Sequence, residues 1–304
     1  MKLPVPTNNH SKNKAMAAAG ECAGSNGSVS ILNEAAEIIR NYYGDAIKNL
    51  FIEKLVVGVF FTGVKLSNGC GGVAYTPPET VSNASRRILR GRSPFVCGMS
   101  AETVISGNMF NPFAGIIRLA AINALSVPFF ENGRYFLDQN NDLADLPHLF
   151  AGRRICMVGA IIPLLKRLKE LGAGEIKVID RKKESKIEVE LACGDFISPR
   201  QTADVLAQCD TAVFTGAAIA NGTIEHLLKL VPPKAAVAVV GPTAGFIPEP
   251  LFRRNVAAVG TSMVTDIDSA LDIIAEGGGA YRLFGSCVKK INLLNRKRLE
   301  QLKL

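Results

Sequence analysis

The sequence predicts an α/β fold in two parts, a parallel-sheet domain in the second half of the chain preceded by a smaller α+β unit. Three observations carry this reading. From Arg154 onward, five short apolar segments recur, each followed by helical sequence, which is the pattern of parallel strands joined by right-handed crossovers. Before them, a single hairpin signal is flanked by helical patterns. The 304 residues, 48% hydrophobic and without tryptophan, suffice for two modest cores.

The elements follow in order. Residues 1–30 are rich in Asn, Ser, Gly and Ala and lack the apolar run of a signal sequence, so they read as a disordered tail. ILNEAAEIIRNYYGDAIKNL places Ile31, Ala35, Ile38 and Ile39 on one helical face. IEKLVVGVFFTGVKL, Ile52 to Leu66, runs as one strand, SNGCGG supplies the turn and VAYTPP the return strand. A helix over Pro112–Ser126 completes an α+β unit over residues 31–135. The apolar stretch from Pro112 to Phe130 contains Arg118, so it reads as a core helix and no membrane span is expected. Residues 136–151 form the linker.

The second domain, 152–288, takes its strands from RICMVGA, EIKVID, TAVFTG, AAVAVVG and VAAVGTSMV, a Rossmann-like series. In open parallel sheets ligands bind outside the carboxyl ends of the strands, where this chain places Gly159, Asp180, Thr215 with Gly216, Gly241 with Thr243, and Thr265 with Asp266. The stretch VGPTAGFIPEPLF, Val240 to Phe252, fits a ligand site and equally a tight turn. In ANGTI, Asn221 and Thr223 serve either as helix caps or as ligand contacts, and Asp266 has the same two readings. Glu276, before three glycines, is a solvated helix end or a functional acid. Asp180 follows Gly159 by 21 residues, the place of an acid that accepts hydrogen bonds from ribose hydroxyls. VGAIIP, however, has one glycine where a dinucleotide fingerprint has three, which argues against NAD and FAD and leaves a smaller ligand, a nucleotide or S-adenosylmethionine.

Charge and cysteines exclude other classes. The formal charge of +8 is concentrated in the ends, +2 in residues 1–30 and +5 in residues 289–304, so the body between carries only +1 and no nucleic-acid partner is expected. Residues 289–304, KKINLLNRKRLEQLKL, read as a basic C-terminal helix or tail. Seven cysteines without short repeated spacing encode neither a disulfide framework nor a zinc site and fit a reducing cytoplasm. His10, His148 and His226 form no triad with a nucleophile, whereas Asp180, Asp266, Glu249 and Glu276 are carboxylates that different strands can bring to one sheet edge for a hard metal.

VGAIIP, TGAAIANGTI, VGPTAGFIPEPLF, VTDID and EGGG, in this order, resemble the motif series of an uncharacterised prokaryotic family labelled "putative heavy-metal chelation domain", and IEKLVVGVFFTGVKL, GVAYTPPE and AAINALS resemble its enolase N-terminal-like domain. The likeness spans residues 31–285; AYRLF after EGGG departs from it. It implies an enolase N-terminal-like domain packed on a Rossmann-like one, self-association into a homo-oligomer, and a cleft between the domains lined by Thr215, Asn221, Thr223, Gly241, Thr243, Glu249, Asp266 and Glu276, with Asn123 and Tyr75 from the first domain. Soft metals want clustered thiolates or imidazoles, which the sequence lacks. The expectation is therefore a small-molecule-binding protein that handles or helps make a metal chelate. The alternative is an enzyme using S-adenosylmethionine or a nucleotide, with Asp180 on the ribose and Glu249 or Glu276 as general base; Asp266 and Glu276 are the candidate metal ligands.

Overall fold

Strands that are apolar on both sides need cover on each face of their sheet, and the chain supplies it twice. The computed structural model describes residues 30–88, 95–138 and 142–304; the expected disordered tail falls, but for Ser30, outside them. The first unit opens with α1 (Ile31–Tyr43), capped by Ser30, whose hydroxyl accepts from the Asn33 amide. Three antiparallel strands follow, β1 (Ile52–Val57), β2 (Phe61–Leu66) and β3 (Gly71–Tyr75), then α2 (Pro78–Ile88), α3 (Ala101–Ser106) and α4 (Ala114–Glu131).

The single strand expected over Ile52–Leu66 is in fact two. Gly58 donates to the Phe61 carbonyl and turns the chain, and a Cβ at Gly58 would lie 2.6 Å from the Ile274 carbonyl oxygen, so the turn sits where only glycine fits. The hairpin between β2 and β3 is as expected.

In the second unit β4 (Leu137–Asp138) and α5 (Pro147–Phe150) precede β5 (Ile155–Val158), α6 (Ile162–Glu170), β6 (Ile176–Ile179), α7 (Ser185–Leu191), β7 (Asp195–Ile197) and α8 (Thr202–Gln208). Then come β8 (Thr211–Thr215), α9 (Ala217–Ala220), α10 (Ile224–Leu230), β9 (Ala236–Val240), α11 (Glu249–Phe252), β10 (Ala258–Val264), α12 (Ile267–Ala275), α13 (Ala280–Ser286), β11 (Val288–Leu294) and α14 (Arg296–Leu302). The sheet runs β4-β11-β10-β9-β8-β5-β6-β7, parallel except for β11 and β4. The predicted class, a mostly parallel sheet with a smaller α+β domain before it, is the observed one.

Three strands were not expected: β4, two residues inside the segment read as a linker, β7 and β11. The three-residue β7 is too short to show a period. β11 takes up residues 289–294 of the segment read as a basic helix or tail: its lysines, Lys289 and Lys290, are exposed while Ile291, Asn292 and Leu293 are buried, and it pairs antiparallel with all of β10. Only Arg296–Leu302 is helical there, and Arg298 is buried with its guanidinium donating to the carbonyls of Pro233 and Ala235. The basic end belongs to the fold.

The α4 helix is long and apolar enough to cross a membrane, yet it is the central buried helix of the first unit. It covers one face of the three-stranded sheet so closely that a Cβ at Gly72 would fall 2.2 Å from the Ala120 carbonyl oxygen. The other face is covered by α12, from late in the chain, through Ile267, Leu271 and Ile274. One hydrophobic core runs unbroken from α1 and α4 to Phe214 and Val239 of the large sheet and to Phe246 in the segment after β9, so the units share a core instead of touching at a surface.

Candidate functional site

The large sheet changes direction between β5 and β8: the chain proceeds outward through β6 and β7 on one side and through β9 and β10 on the other. At such a switch point the loops after the two central strands diverge and leave a crevice. Gly159, at φ +92°, ends β5, and a Cβ there would lie 2.3 Å from Thr215 Cγ2, so the loops after β5 and β8 meet only because this residue is glycine. Asp180 closes the first loop: its carboxylate accepts from the Ala160 amide at 2.8 Å and from the Lys182 amide at 2.8 Å. The Gly216 amide donates to the Val240 carbonyl, and Gly241, at φ +129°, accepts from the Thr261 hydroxyl.

These loops form the floor of a cleft of about 1380 Å³, roofed by Phe61, Tyr75, Pro78 and Glu79 of the first unit. Of the expected positions, Gly159, Asp180, Thr215, Gly216, Asn221, Thr223, Gly241, Thr243 and Tyr75 line it, whereas Asn123, Glu249, Thr265, Asp266 and Glu276 do not. The cap readings of Asn221 and Thr223 do not hold: α10 has no side-chain cap, the Thr223 hydroxyl donates back to the Ala218 carbonyl, and Asn221 ends α9. Asp266 is a cap, accepting from the amide and hydroxyl of Ser269, which hold its carboxyl below the usual range.

The remaining candidates are elsewhere. Asn123 is buried at the seam between the units, donating to the carbonyls of Val73, Thr243 and Pro242. Thr243 lines the cleft but its hydroxyl accepts from the Tyr75 amide across the same seam. Glu249 accepts from the Tyr135 hydroxyl at 2.5 Å and pairs with Arg134 at 3.1 Å, and burial with this contact pushes the Tyr135 phenol well up. Glu276 is exposed and paired with Arg282. Neither proposed general base lines the cleft. Asp266 and Glu276 cap opposite ends of α12, about 15 Å apart at ~1.5 Å per residue, so they do not share an ion.

Among the described residues no three His, Cys, Asp or Glu side chains stand close enough to hold a metal. The buried thiols are poor donors as well: burial pushes Cys156 up to about 12 and Cys209 up to about 11, so their thiolates are disfavoured at neutral pH. The donor set does not fit a bare soft metal ion.

The sequence reading missed the cations. Lys166, Arg181, Lys182 and Arg200 line the cleft, as does His226. Arg181 and Lys182 follow β6 directly in EIKVIDRKK, a signal that was open to view; Arg200 stands behind the unrecognised β7. Also missed were Tyr281 and Phe284, in AYRLF.

Residues 142–293 match the DUF364 family model and residues 40–126 the DUF4213 model, both described as "Putative heavy-metal chelation". A protein of unknown function from the DUF364 family of Pyrococcus horikoshii superposes with TM-score 0.67 at 22% identity over 88% of this chain and 100% of that one. A DUF364 protein of unknown function from Desulfitobacterium hafniense DCB-2 gives 0.62 at 19% identity over 85% of this chain and 100% of that one. An uncharacterized protein of Methanocaldococcus jannaschii is 24% identical over 193 residues, 63% of this chain and 70% of that protein. At these identities the solved relatives speak for the fold.

Proposed function

The chain belongs to the DUF364 family, described as "Putative heavy-metal chelation", and from that premise we propose that it binds an anionic organic small molecule in the cleft between its two units, handling or helping to make a metal chelate whose donor atoms come from the organic ligand. The observation that carries this reading is the pairing of a large crevice at the strand ends, rich in backbone amides, hydroxyls and cations, with a protein donor set unsuited to a naked ion. The ligand, with its own donors, supplies what the protein lacks.

Native mass spectrometry of gently purified protein, with elemental analysis of the same sample, tests it. The expected result is a bound small molecule that disappears in Ala217→Trp, which fills the middle of the cleft; any metal should leave with the molecule. Stoichiometric metal retained in Ala217→Trp would sink the reading.

A second reading, a nucleotide- or S-adenosylmethionine-dependent enzyme, is favoured by one observation. Asp180 lines the cleft at the end of the strand after the first loop, and each of its oxygens, accepting one amide, keeps a free lone pair for a ribose hydroxyl. Asp180→Ala should abolish nucleotide binding if this reading is right and leave chelate binding nearly intact if the first is.

A further inference from the structure

The cleft is longer than one small ligand requires, and its two ends differ in chemistry. At one end Arg181 and Lys182 leave β6, Arg200 leaves β7, and Lys166 reaches in from α6. Other cleft cations are neutralised, Arg167 by Asp145 and Glu170 and Lys290 by Asp142, whereas these four make no ion pair with a carboxylate among the described residues. At the other end Phe61 and Tyr75 stand edge to face at 6.5 Å over the end of β9, where the Tyr75 amide is tied to Thr243. Tyr281 and Phe284 of α13 add two more rings, Tyr281 being 83% exposed although it faces a lined cavity. β9 and β6 are three strand spacings apart, about 14 Å at ~4.8 Å each. Unpaired cations attract a concentrated anion, and a ring open to water, here that of Tyr281, attracts a planar apolar group; Phe284 beside it is half-buried, with the Lys290 ammonium 5.8 Å from its ring centroid.

Resting on the reading of the cleft as a ligand site, we propose that its ligand is two-ended: a planar aromatic ring held against Tyr281 and Phe284, joined to a group of at least two negative charges, phosphate or polycarboxylate, held by Arg181, Lys182 and Arg200. The switch-point loops, at Gly159 and Gly216, pass the backbone of the ligand between the ends.

Four probes and two sets of variants test this by titration calorimetry and fluorescence on the full chain. Pyrophosphate, with citrate beside it to separate phosphate from carboxylate, reports the cationic end; 8-anilinonaphthalene-1-sulfonate reports the aromatic wall; ATP carries both a ring and a polyphosphate. Lys182→Ala with Arg200→Ala should weaken pyrophosphate or citrate at least tenfold and hardly move the dye. Tyr281→Ala with Phe284→Ala should do the reverse, and ATP should lose affinity in both sets. The inference is overturned if ATP responds to one set alone, if a probe ignores its own set, or if neither anion binds at millimolar concentration. If Ala217→Trp leaves every probe bound, the cleft reading itself falls; if it displaces them while ATP responds to one set alone, only the two-ended ligand falls.

Discussion

Strand-end segments built from similar small residues have opposite fates in this protein. The loops after β5 and β8 carry glycine and threonine and face the open cleft. The stretch after β9, Gly241 to Phe252, carries glycine, threonine and proline; its first three residues, Gly241 to Thr243, still line the cleft, but from Ala244 on it is sealed, with Ala244, Phe246, Ile247 and Leu251 all buried. What seals it is the first unit. Asn123 and Tyr75 take up the polar groups near Thr243, the Ser126 hydroxyl accepts from the Ile247 amide, and Glu249 is held by Tyr135 and Arg134. A strand that ends in Gly-Pro-Thr is therefore a ligand site or a joint according to whether another element covers it, and that depends on residues more than a hundred positions away. The joint has a consequence for the open region as well. A seam with a shared core does not hinge easily, so the cleft is preformed, and the ligand proposed for it would bind with little reorganisation.

The contrast breaks most sharply at Phe246. Its ring is fully buried in the shared core, so Phe246→Ala should cost about 3–5 kcal/mol, the usual range for deleting a buried aromatic side chain. Asn221→Ala, at an exposed position lining the cleft, should stay within about 0.5 kcal/mol. Urea unfolding of both variants checks this, and equal midpoints would erase the distinction between joint and site.

Asn123 comes next. It donates to three carbonyls, while its own Oδ1 has no partner among the described residues. Asn123→Ala removes the donor and strands buried acceptors, at about 1–3 kcal/mol. Stability should fall while binding of a probe at Lys182 and Arg200 hardly changes, because Asn123 does not line the cleft. A variant that keeps its unfolding midpoint but loses binding would return Asn123 to the ligand site.

The strand ends were legible because a buried parallel strand is a short apolar run closed by glycine or a small polar residue, and RICMVGA, TAVFTG and AAVAVVG have that form. β11 was not legible, since its Lys289 and Lys290 look like a solvated helix face until β10 is known to lie beside them. Among site residues, Asp180 and Gly159 could be placed from their spacing alone. Glu249 and Asn123 could not, because their partners are fixed by the packing of one unit on the other, and no local pattern encodes that. The cations at the cleft's far end were missed for a different reason: a charge run usually marks solvated surface, and only the position of β6 turns Arg181 and Lys182 toward a cavity.

The smallest expected effect sharpens the comparison through pH. Glu34 on α1 is bound to Arg254 at 2.5 Å and to Arg253 at 3.3 Å, both beyond the end of α11, so this ion pair fastens the sealed side only. The hydrogen bond and charge of Arg254 hold its carboxyl below its ordinary value near 4.5. A carboxyl depressed in the folded state contributes stability that is complete above the unfolded value and disappears as pH falls through the folded one. The wild-type chain should therefore exceed Glu34→Gln in urea midpoint at pH 7, by no more than about 1 kcal/mol for a pair with its arginines partly in water. The difference should shrink below pH 4.5 until the two chains unfold together. Anion affinity in the cleft, which the pair does not reach, should keep the same pH profile in both. A Glu34→Gln chain whose anion binding shifts with its stability would mean that the joint and the cleft are one elastic unit, and the preformed cleft would have to be given up.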